Sequence, residues 1–594
     1  MNWSKKQLVW LYLLLIIGLG FFLRSYHFDE WLHFELDQAR DAKVIDIAVN
    51  GDAADLPLLG PRAGGTFLRL GPGFYWLEYL GALIVGDTIV GSAAMVLFFS
   101  ILTLPLFYVF LRRFFAPSFS LGLLGLCATS AFMVMYGRFA WNPNLVPFFS
   151  LLGFYALLRS IDRTEQYQGR WLMVSAFGLG LATHMHFLAF LALPVIAIGL
   201  LLWSRPRIAV KFWLGALALV AILYVPMFLN EIATGGDNMR EFIAALTEKS
   251  SKENHNLVEK TIRNVSEFSL HGVVILSGFE GATLPSVIAS DGTFGSICMG
   301  KCDDGKWYGM LAVLLFIFSL ITLVRFWRDE QNPQKKDFLT LLILWFGVTF
   351  VLFLPLSYGI APRFFLLNTP LFFVLFGLLL LSFQAFLAKK FSMNIGRFGA
   401  VVFIFLFVML NLWSISIRFG QLAQAGVVPV ENVPDRILKE PIRVTLEQQQ
   451  AIATSLERRS RETGWPIYMK GELRYDRALK YHLDARLLRN DTLGITNIYR
   501  EGVYFLVLNT ASNHETTLKK YLSYYTVVRS TMFGTLTVIE LSPKPEAVTD
   551  NYKDFSEPEK EARSQVAPRY TIREFFSRNK ALSDKDEVEE AEVE

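Results

Sequence analysis

The sequence predicts an α-helical polytopic membrane protein: about eleven transmembrane helices, then a C-terminal extracytoplasmic α/β domain. Three observations carry that expectation. Of 594 residues, 53% are hydrophobic and only 19% are charged, and the mean hydropathy is +0.37. The apolar residues gather in runs close to the roughly 17–25 residues that a bilayer crossing requires. Lysine and arginine crowd into alternate short loops, as the positive-inside bias demands.

The expected spans are 7–23, 88–111, 119–136, 145–158, 171–185, 187–203, 208–229, 309–325, 339–357, 365–387 and 398–416. Lys5 and Lys6 precede the first run. Arg24, Tyr26 and His27 follow it where a signal peptide would carry a small-residue cleavage site, so an uncleaved first helix is expected. A cytoplasmic N-terminus places Arg112 and Arg113, then Arg159, Arg163 and Arg170, then Arg205, Arg207 and Lys211 inside. Lys335, Lys336, Lys389 and Lys390 follow the same alternation. If 74–86 crossed the membrane, every later loop would invert. That segment is therefore expected to be an amphipathic helix on the outer surface, with Glu78 toward water.

Residues 1–420 then form the membrane domain, with large outer loops at 24–87 and 230–308. Residues 421–545 form the soluble α/β domain, with a helix at 443–464 and strands at 465–471, 503–509 and 523–540, the last turning near Gly534. The charged tail, 546–594, lacks the apolar periodicity needed to pack and is expected to be disordered. The expected location is the plasma (inner) membrane of a cell with an envelope, where membrane lipids surround the chain. Its net charge of +4 implies no nucleic-acid partner, because the basic residues sit mostly between apolar runs.

No phosphate-binding P-loop, dinucleotide fingerprint, zinc helix or nucleophile elbow occurs, so no cofactor is implied. The chemistry concentrates instead in the first outer loop. There Asp29, Glu30, Glu35, Asp37, Asp41, Asp46 and Asp52 follow closely behind the first helix. Most read as a solvated acidic face. Asp37 stands apart because Arg40 and Asp41 lie beside it, and a carboxylate at a membrane surface beside an arginine suits a general base. His184 and His186, in THMHF at the end of a span, read as backbone-bonded interfacial histidines, as partners of a phosphate, or as metal ligands. Cys298 and Cys302 read as a local disulfide, as two thiols or as a metal contact, and Cys127 as core.

The order of three motifs resembles the GT-C membrane glycosyltransferases. The branch is the one shared by protein O-mannosyltransferases and lipid A aminoarabinose transferases. The motifs are Asp37-Gln38-Ala39-Arg40-Asp41-Ala42, then Arg69-Leu70-Gly71-Pro72-Gly73-Phe74-Tyr75-Trp76, then Gly137-Arg138-Phe139-Ala140-Trp141-Asn142-Pro143-Asn144. The resemblance implies an inverting glycosyltransferase that takes a sugar from a polyprenyl-phosphate carrier at the outer face. The sugar would pass to a lipid, glycan or protein acceptor. It implies Asp37 as the base. Arg40, Asp41 and Tyr75 are further expected substrate contacts, and Asn142 and Asn144, flanking Pro143, read as a turn or as donor or acceptor contacts. Gln38 stands where a second carboxylate is common, which argues against a paired-carboxylate metal site, though a divalent metal stays open. Leu70 stands where a basic residue is common, with Arg69 one position earlier.

The leaving phosphate of such a donor needs cations at headgroup level. The candidates are Arg69, Arg138, Arg363, His184 and His186; Arg138 and Arg363 are exceptions to the bias that otherwise clears positive charge from the short outer loops. Two rival readings are a transporter or flippase for lipid-linked sugars and a non-catalytic cell-envelope assembly protein. Few ionisable residues sit at mid-span depth, where a transport path would need them.

Overall fold

A computed structural model describes residues 4–64, 66–247, 255–290, 293–297, 305–429, 435–512, 514–555 and 569–577. Cys298 and Cys302 lie outside the described residues. Long apolar stretches leave the backbone one way to satisfy its N–H and C=O groups in lipid, which is a helix. Among the described residues, nine helices are long and apolar enough to cross a membrane, from Lys5–Ser25 to Met393–Gln424. Two further expected spans also coincide with helical segments. One is broken at Ser130 into Pro117–Thr129 and Ala131–Tyr136, and the other is the 16-residue helix Gln168–Thr183. The break has a local cause. Ser130 turns its hydroxyl to the Ile275 carbonyl, and the amide of Ala131 is taken by the Asn411 side chain at 2.8 Å.

The bundle interior is aromatic. Phe268 touches Phe316, Phe346, Phe350, Phe353, Phe365 and Phe372 at ring separations of 5.1–6.3 Å. The outer girdle is apolar and unburied: the helix Val210–Thr234 buries only Ala216 and Asn230, while Leu214, Leu217 and Phe228 are exposed. That pattern is inverted from a soluble protein's and is what lipid contact requires.

One expectation is overturned. Gly73–Val85 is a helix, but Glu78 does not face water; it is 2% exposed and turned into the acidic first loop, while Leu83 and Ile84 are exposed. The side chain turns toward Asp41 and Arg40 of the first outer loop, which the helix pattern does not reveal.

A small antiparallel pair, β1 (Ser286–Ser290) and β2 (Thr293–Ile297), lies in the second large loop. The soluble domain carries a five-stranded mixed sheet of β3 (Ile467–Lys470), β4 (Asn490–Thr492), β5 (Val503–Asn509), β6 (Tyr525–Phe533) and β7 (Leu536–Pro543). Its order is β4-β3-β5-β7-β6; β3 is parallel to β4 and β5, and the rest is antiparallel. Helices Leu446–Thr463 and Asp476–Ala485 contribute Ile452, Leu456, Leu479 and Leu483 to one face. The β6–β7 turn needs Gly534 at φ +62°, where a side chain would meet the Ala425 carbonyl.

This domain sits on the first loop. The Gln449 side chain donates to the Phe34 carbonyl at 2.8 Å, and Glu447 N–H donates to the Glu30 carbonyl at 3.2 Å. The Arg474 guanidinium lies 3.5 Å from Glu35, and Phe34 packs on Tyr481.

The charged tail does not behave throughout as expected. Residues 569–577 run back to the membrane domain as a strap. Tyr570 C=O accepts from Leu58 N–H at 2.8 Å, Ile572 N–H donates to Leu56 C=O at 3.1 Å, and Tyr570 N–H donates to buried Asn230 at 3.0 Å. Three aromatic residues and a threonine bridge in a nine-residue window were too short a signal for periodicity to register.

Candidate active site

The helix Leu36–Asn50 begins where the chain leaves the first helix, and Gln38 closes its N-terminus by accepting from Glu35 N–H at 3.2 Å. Gln38 is thus a capping residue, which accounts for an amide at this position. Asp37 lies in the first turn, where the helix dipole favours a negative charge. One of its oxygens accepts from Arg40 Nη1 at 3.1 Å and the other from Trp141 Nε1 at 2.9 Å. Its side chain keeps 35% exposure, so a substrate hydroxyl can reach it. Burial opposes the charge on Asp37. Arg40, Arg363, the Trp141 hydrogen bond and Arg477 outweigh it and hold the carboxyl below its usual range.

Asp41, one position beyond Arg40, has the opposite character. It is 1% exposed and accepts from Arg40 Nε at 3.0 Å and from the Tyr75 hydroxyl at 3.0 Å. Burial raises its pKa, and the Asp37 charge adds to that, against Arg40. Glu78, beside it, is raised well above the ordinary value by burial and by Asp41. The Arg569 guanidinium of the C-terminal strap donates to the Tyr75 hydroxyl at 3.3 Å and is 3% exposed. A continuous path therefore runs from Arg569 through Tyr75, Asp41 and Arg40 to Asp37.

The other expected residues divide into two groups. Arg363 belongs to the site: its guanidinium lies 5.1 Å from the centre of the Trp141 ring and 5.4 Å from that of Phe364, and its charge acts on Asp37. His186 lies beside it, its ring 5.5 Å from Phe364, and accepts from Leu188 N–H at 3.3 Å. Arg138 is elsewhere. Its guanidinium donates to the carbonyls of Leu23, Arg24, Tyr26 and His27 and so caps the C-terminus of the first helix.

Asn142 and Asn144 donate to the carbonyls of Met185 and Phe139, so both fix loop geometry around Trp141. His184 is fully buried against Gly71 and Gly73, and added side chains there would meet its ring at 2.4–3.1 Å. Arg69 is 1% exposed, its backbone paired with Asn238, and its charge acts on Tyr75, behind the exposed carboxylate.

Among the described residues, one group has metal-type ligands close enough together: His33, Glu35 and Glu440, with ligand atoms within 4.8 Å of each other. Burial works against a charged His33, but Glu440 and Glu35 raise it to about 10. Its ring bonds Glu440 on one side and lies 3.4 Å from Glu35 on the other. The group therefore fits an ion-pair cluster that ties the soluble domain to the first loop.

The sequence reading missed Trp141 as a contact of Asp37, although Trp141 lies within a quoted motif. It also missed Arg477 and Arg569, which come from 440 and 532 residues away along the chain; no local spacing could connect them.

Residues 70–229 match the family model described as dolichyl-phosphate-mannose-protein mannosyltransferase. No curated protein matches the sequence. ArnT from Cupriavidus metallidurans bound to undecaprenyl phosphate is 12% identical with a TM-score of 0.55, covering 90% of this chain and 98% of that one. Its apo form gives a TM-score of 0.54 at 12% identity, covering 89% and 97%. The apo oligosaccharyltransferase of Archaeoglobus fulgidus gives 0.51 at 12% identity, covering 88% of this chain and 71% of that one. The GT-C fold implied by the motif order is the fold of this chain.

Proposed function

We propose that the chain is an inverting glycosyltransferase that takes a sugar from a polyprenyl-phosphate carrier at the outer membrane face, with Asp37 as general base. The observation that carries this is the state of Asp37: charged, open to substrate, and held by Arg40 and Trp141 with Arg363 beside it. The acceptor hydroxyl gives its proton to Asp37 as its oxygen bonds the anomeric carbon. The bond from that carbon to the phosphate oxygen breaks, and its electron pair leaves with the polyprenyl phosphate. Attack from the side opposite the phosphate inverts the centre.

Charge developing on the departing phosphate is met by Arg363, a guanidinium suited to two parallel hydrogen bonds. Arg138 is occupied by four backbone carbonyls, so the carrier-phosphate role falls to Arg363. Asp41 and Glu78 are buried, with pKa values raised by that burial, so neither is open to substrate as the second carboxylate that a retaining double displacement would use.

The ArnT relative was solved with undecaprenyl phosphate, and that ligand class is the one proposed here. The acceptor is a lipid, a glycan or a protein, and the donor a pentose or a hexose. Sugar transfer by purified chain in detergent, from a panel of polyprenyl-phosphate-linked pentoses and hexoses to cell-envelope extracts, is the expected result. Translocation of the same lipids across vesicles, with neither transfer nor hydrolysis, would instead establish a flippase.

A further inference from the structure

A polar cavity of about 470 Å³ lies between the helix Leu257–Ser277, the loop at 357–362 and the segment 435–439 that leads into the soluble domain. Both carboxylates on its wall are already engaged. Glu267 pairs with Arg263 at 2.5 Å and with His271 at 3.3 Å. Asp435 pairs with Arg418 at 2.8 Å and Arg443 at 3.0 Å, and accepts from the Ile437 and Leu438 amides.

Two cations on the same wall have no such partner. Among the described residues, the Arg436 guanidinium makes no hydrogen bond or ion pair with a carboxylate, and the Lys439 ammonium donates only to the Ile360 carbonyl at 3.2 Å. Lys439 also stands at φ +57°, a left-handed backbone that is strained for a non-glycine residue. Strain of this kind persists where the surroundings hold a side chain in place, and it clusters at binding sites. Burial lowers Lys439; Glu267 offsets part of that, while Arg363, Arg263 and Arg436 add to the lowering. Pro362 lines the cavity and Arg363 follows it in the chain, so the cavity adjoins the proposed carrier-phosphate site.

We propose that this cavity is an anion subsite for the acceptor, receiving a phosphate or carboxylate group through Arg436 and Lys439 while Arg363 holds the carrier phosphate. The inference rests on the transferase reading and deepens it by giving the acceptor an anionic group. Three features favour the acceptor over the donor. The wall is mainly polar, with Ile360 and Pro362 its only aliphatic side chains, so a prenyl chain finds no apolar groove there. The volume equals on the order of fifteen waters at ~30 Å³ each, which suits a phosphorylated or acidic sugar headgroup. The soluble domain's own linker supplies Arg436 and Lys439.

Full-length protein in detergent, titrated with inorganic phosphate and separately with a short-chain polyprenyl phosphate, tests the assignment. Phosphate titrations use an Arg363→Gln background so that the carrier site does not contribute. Phosphate is expected to bind that variant, and adding Arg436→Gln with Lys439→Gln should weaken it at least tenfold. Arg436→Lys with Lys439→Arg should retain most of the binding, which separates charge from folding. In the otherwise unchanged chain, the double glutamine variant should alter polyprenyl-phosphate affinity less than threefold. Unchanged phosphate binding in the double variant would overturn the subsite, as would loss of polyprenyl-phosphate binding in a variant that keeps its thermal unfolding temperature. Polyprenyl-phosphate affinity that is indifferent to Arg363→Gln would instead overturn the carrier-phosphate reading and leave the phosphate result standing.

Discussion

Replacing Arg569 with methionine should slow sugar transfer about tenfold, although Arg569 touches no substrate. The side chain is 3% exposed and its Nη1 donates to the Tyr75 hydroxyl at 3.3 Å. Tyr75 donates to Asp41, and Asp41 shares Arg40 with Asp37. Methionine keeps much of the volume but removes a positive charge from the Tyr75 hydroxyl, which itself donates to buried Asp41. A charge-assisted hydrogen bond contributes about 1.5–3 kcal/mol. At 3.3 Å the lower figure applies, and 1.4 kcal/mol is a factor of about ten in rate.

The direction in pH follows from the sign of the lost charge. With one cation fewer, the carboxylates bind protons more tightly, so the acid limb of the turnover profile should move to higher pH. Donor affinity should hold, because Arg363 lies outside this path, and Arg569→Lys should recover part of the rate. Steady-state transfer from a polyprenyl-phosphate-linked sugar, measured across pH, supplies all three readouts. Wild-type turnover with an unmoved acid limb would refute the path and leave the strap a packing element only. Deleting 550–594 removes the strap and should cost activity no less than Arg569→Met does.

Three further outcomes follow from the same geometry. Trp141→Phe keeps an aromatic ring but removes the donor to the Asp37 carboxylate, so a hydrogen bond to a charged group of about 1.5–3 kcal/mol is lost and turnover should fall about tenfold or more; an unchanged rate would show that the indole only packs. Arg363→Lys should lower turnover about tenfold through loss of bidentate phosphate contact, whereas Arg138→Lys should lower the unfolding temperature and leave the kinetics of the surviving protein alone. Equal kinetic damage from both would contradict the division of labour between them. His33 is raised to about 10 from 6.5, so its contribution to domain docking is complete below pH 6.5 and is lost as pH rises through about 10. Hydrogen exchange at 440–449 should therefore quicken between pH 7 and 10 beyond its intrinsic base catalysis, and His33→Gln should remove that excess.

The membrane fold was legible because lipid imposes a long, simple pattern: each apolar run expected to span coincides with helix. The soluble domain was legible to the same degree, since β3, β5 and the β6–β7 hairpin are short β-rich runs bounded by polar turns. What escaped depended on contacts between distant segments. Glu78 looked amphipathic in its own helix, and its place beside Asp41 and Arg40 depends on a segment more than thirty residues earlier in the chain. Arg138 looked like a ligand because it breaks the positive-inside bias, yet its reason for being there is a helix end to cap. Asn142, Asn144 and His184 drew notice as polar groups near the membrane surface, and their surroundings show backbone hydrogen bonds or packing against glycine. Asp37, Arg40 and Asp41 were readable because the helix Leu36–Asn50 carries them together. Their partners Tyr75, Trp141 and Arg569 come from three separate parts of the chain.

The role of Asp37 is tested most directly by Asp37→Asn, which keeps the shape and the Trp141 and Arg40 neighbours but cannot take a proton at neutral pH. General-base catalysis contributes roughly 10²–10⁴-fold. Transfer from a polyprenyl-phosphate-linked sugar by the purified variant, with polyprenyl-phosphate affinity and unfolding temperature measured alongside, should therefore fall to about one per cent of wild type or below while both companion values hold. Turnover within twofold of wild type would contradict the assignment and move the search for the base to Glu30 and Glu35.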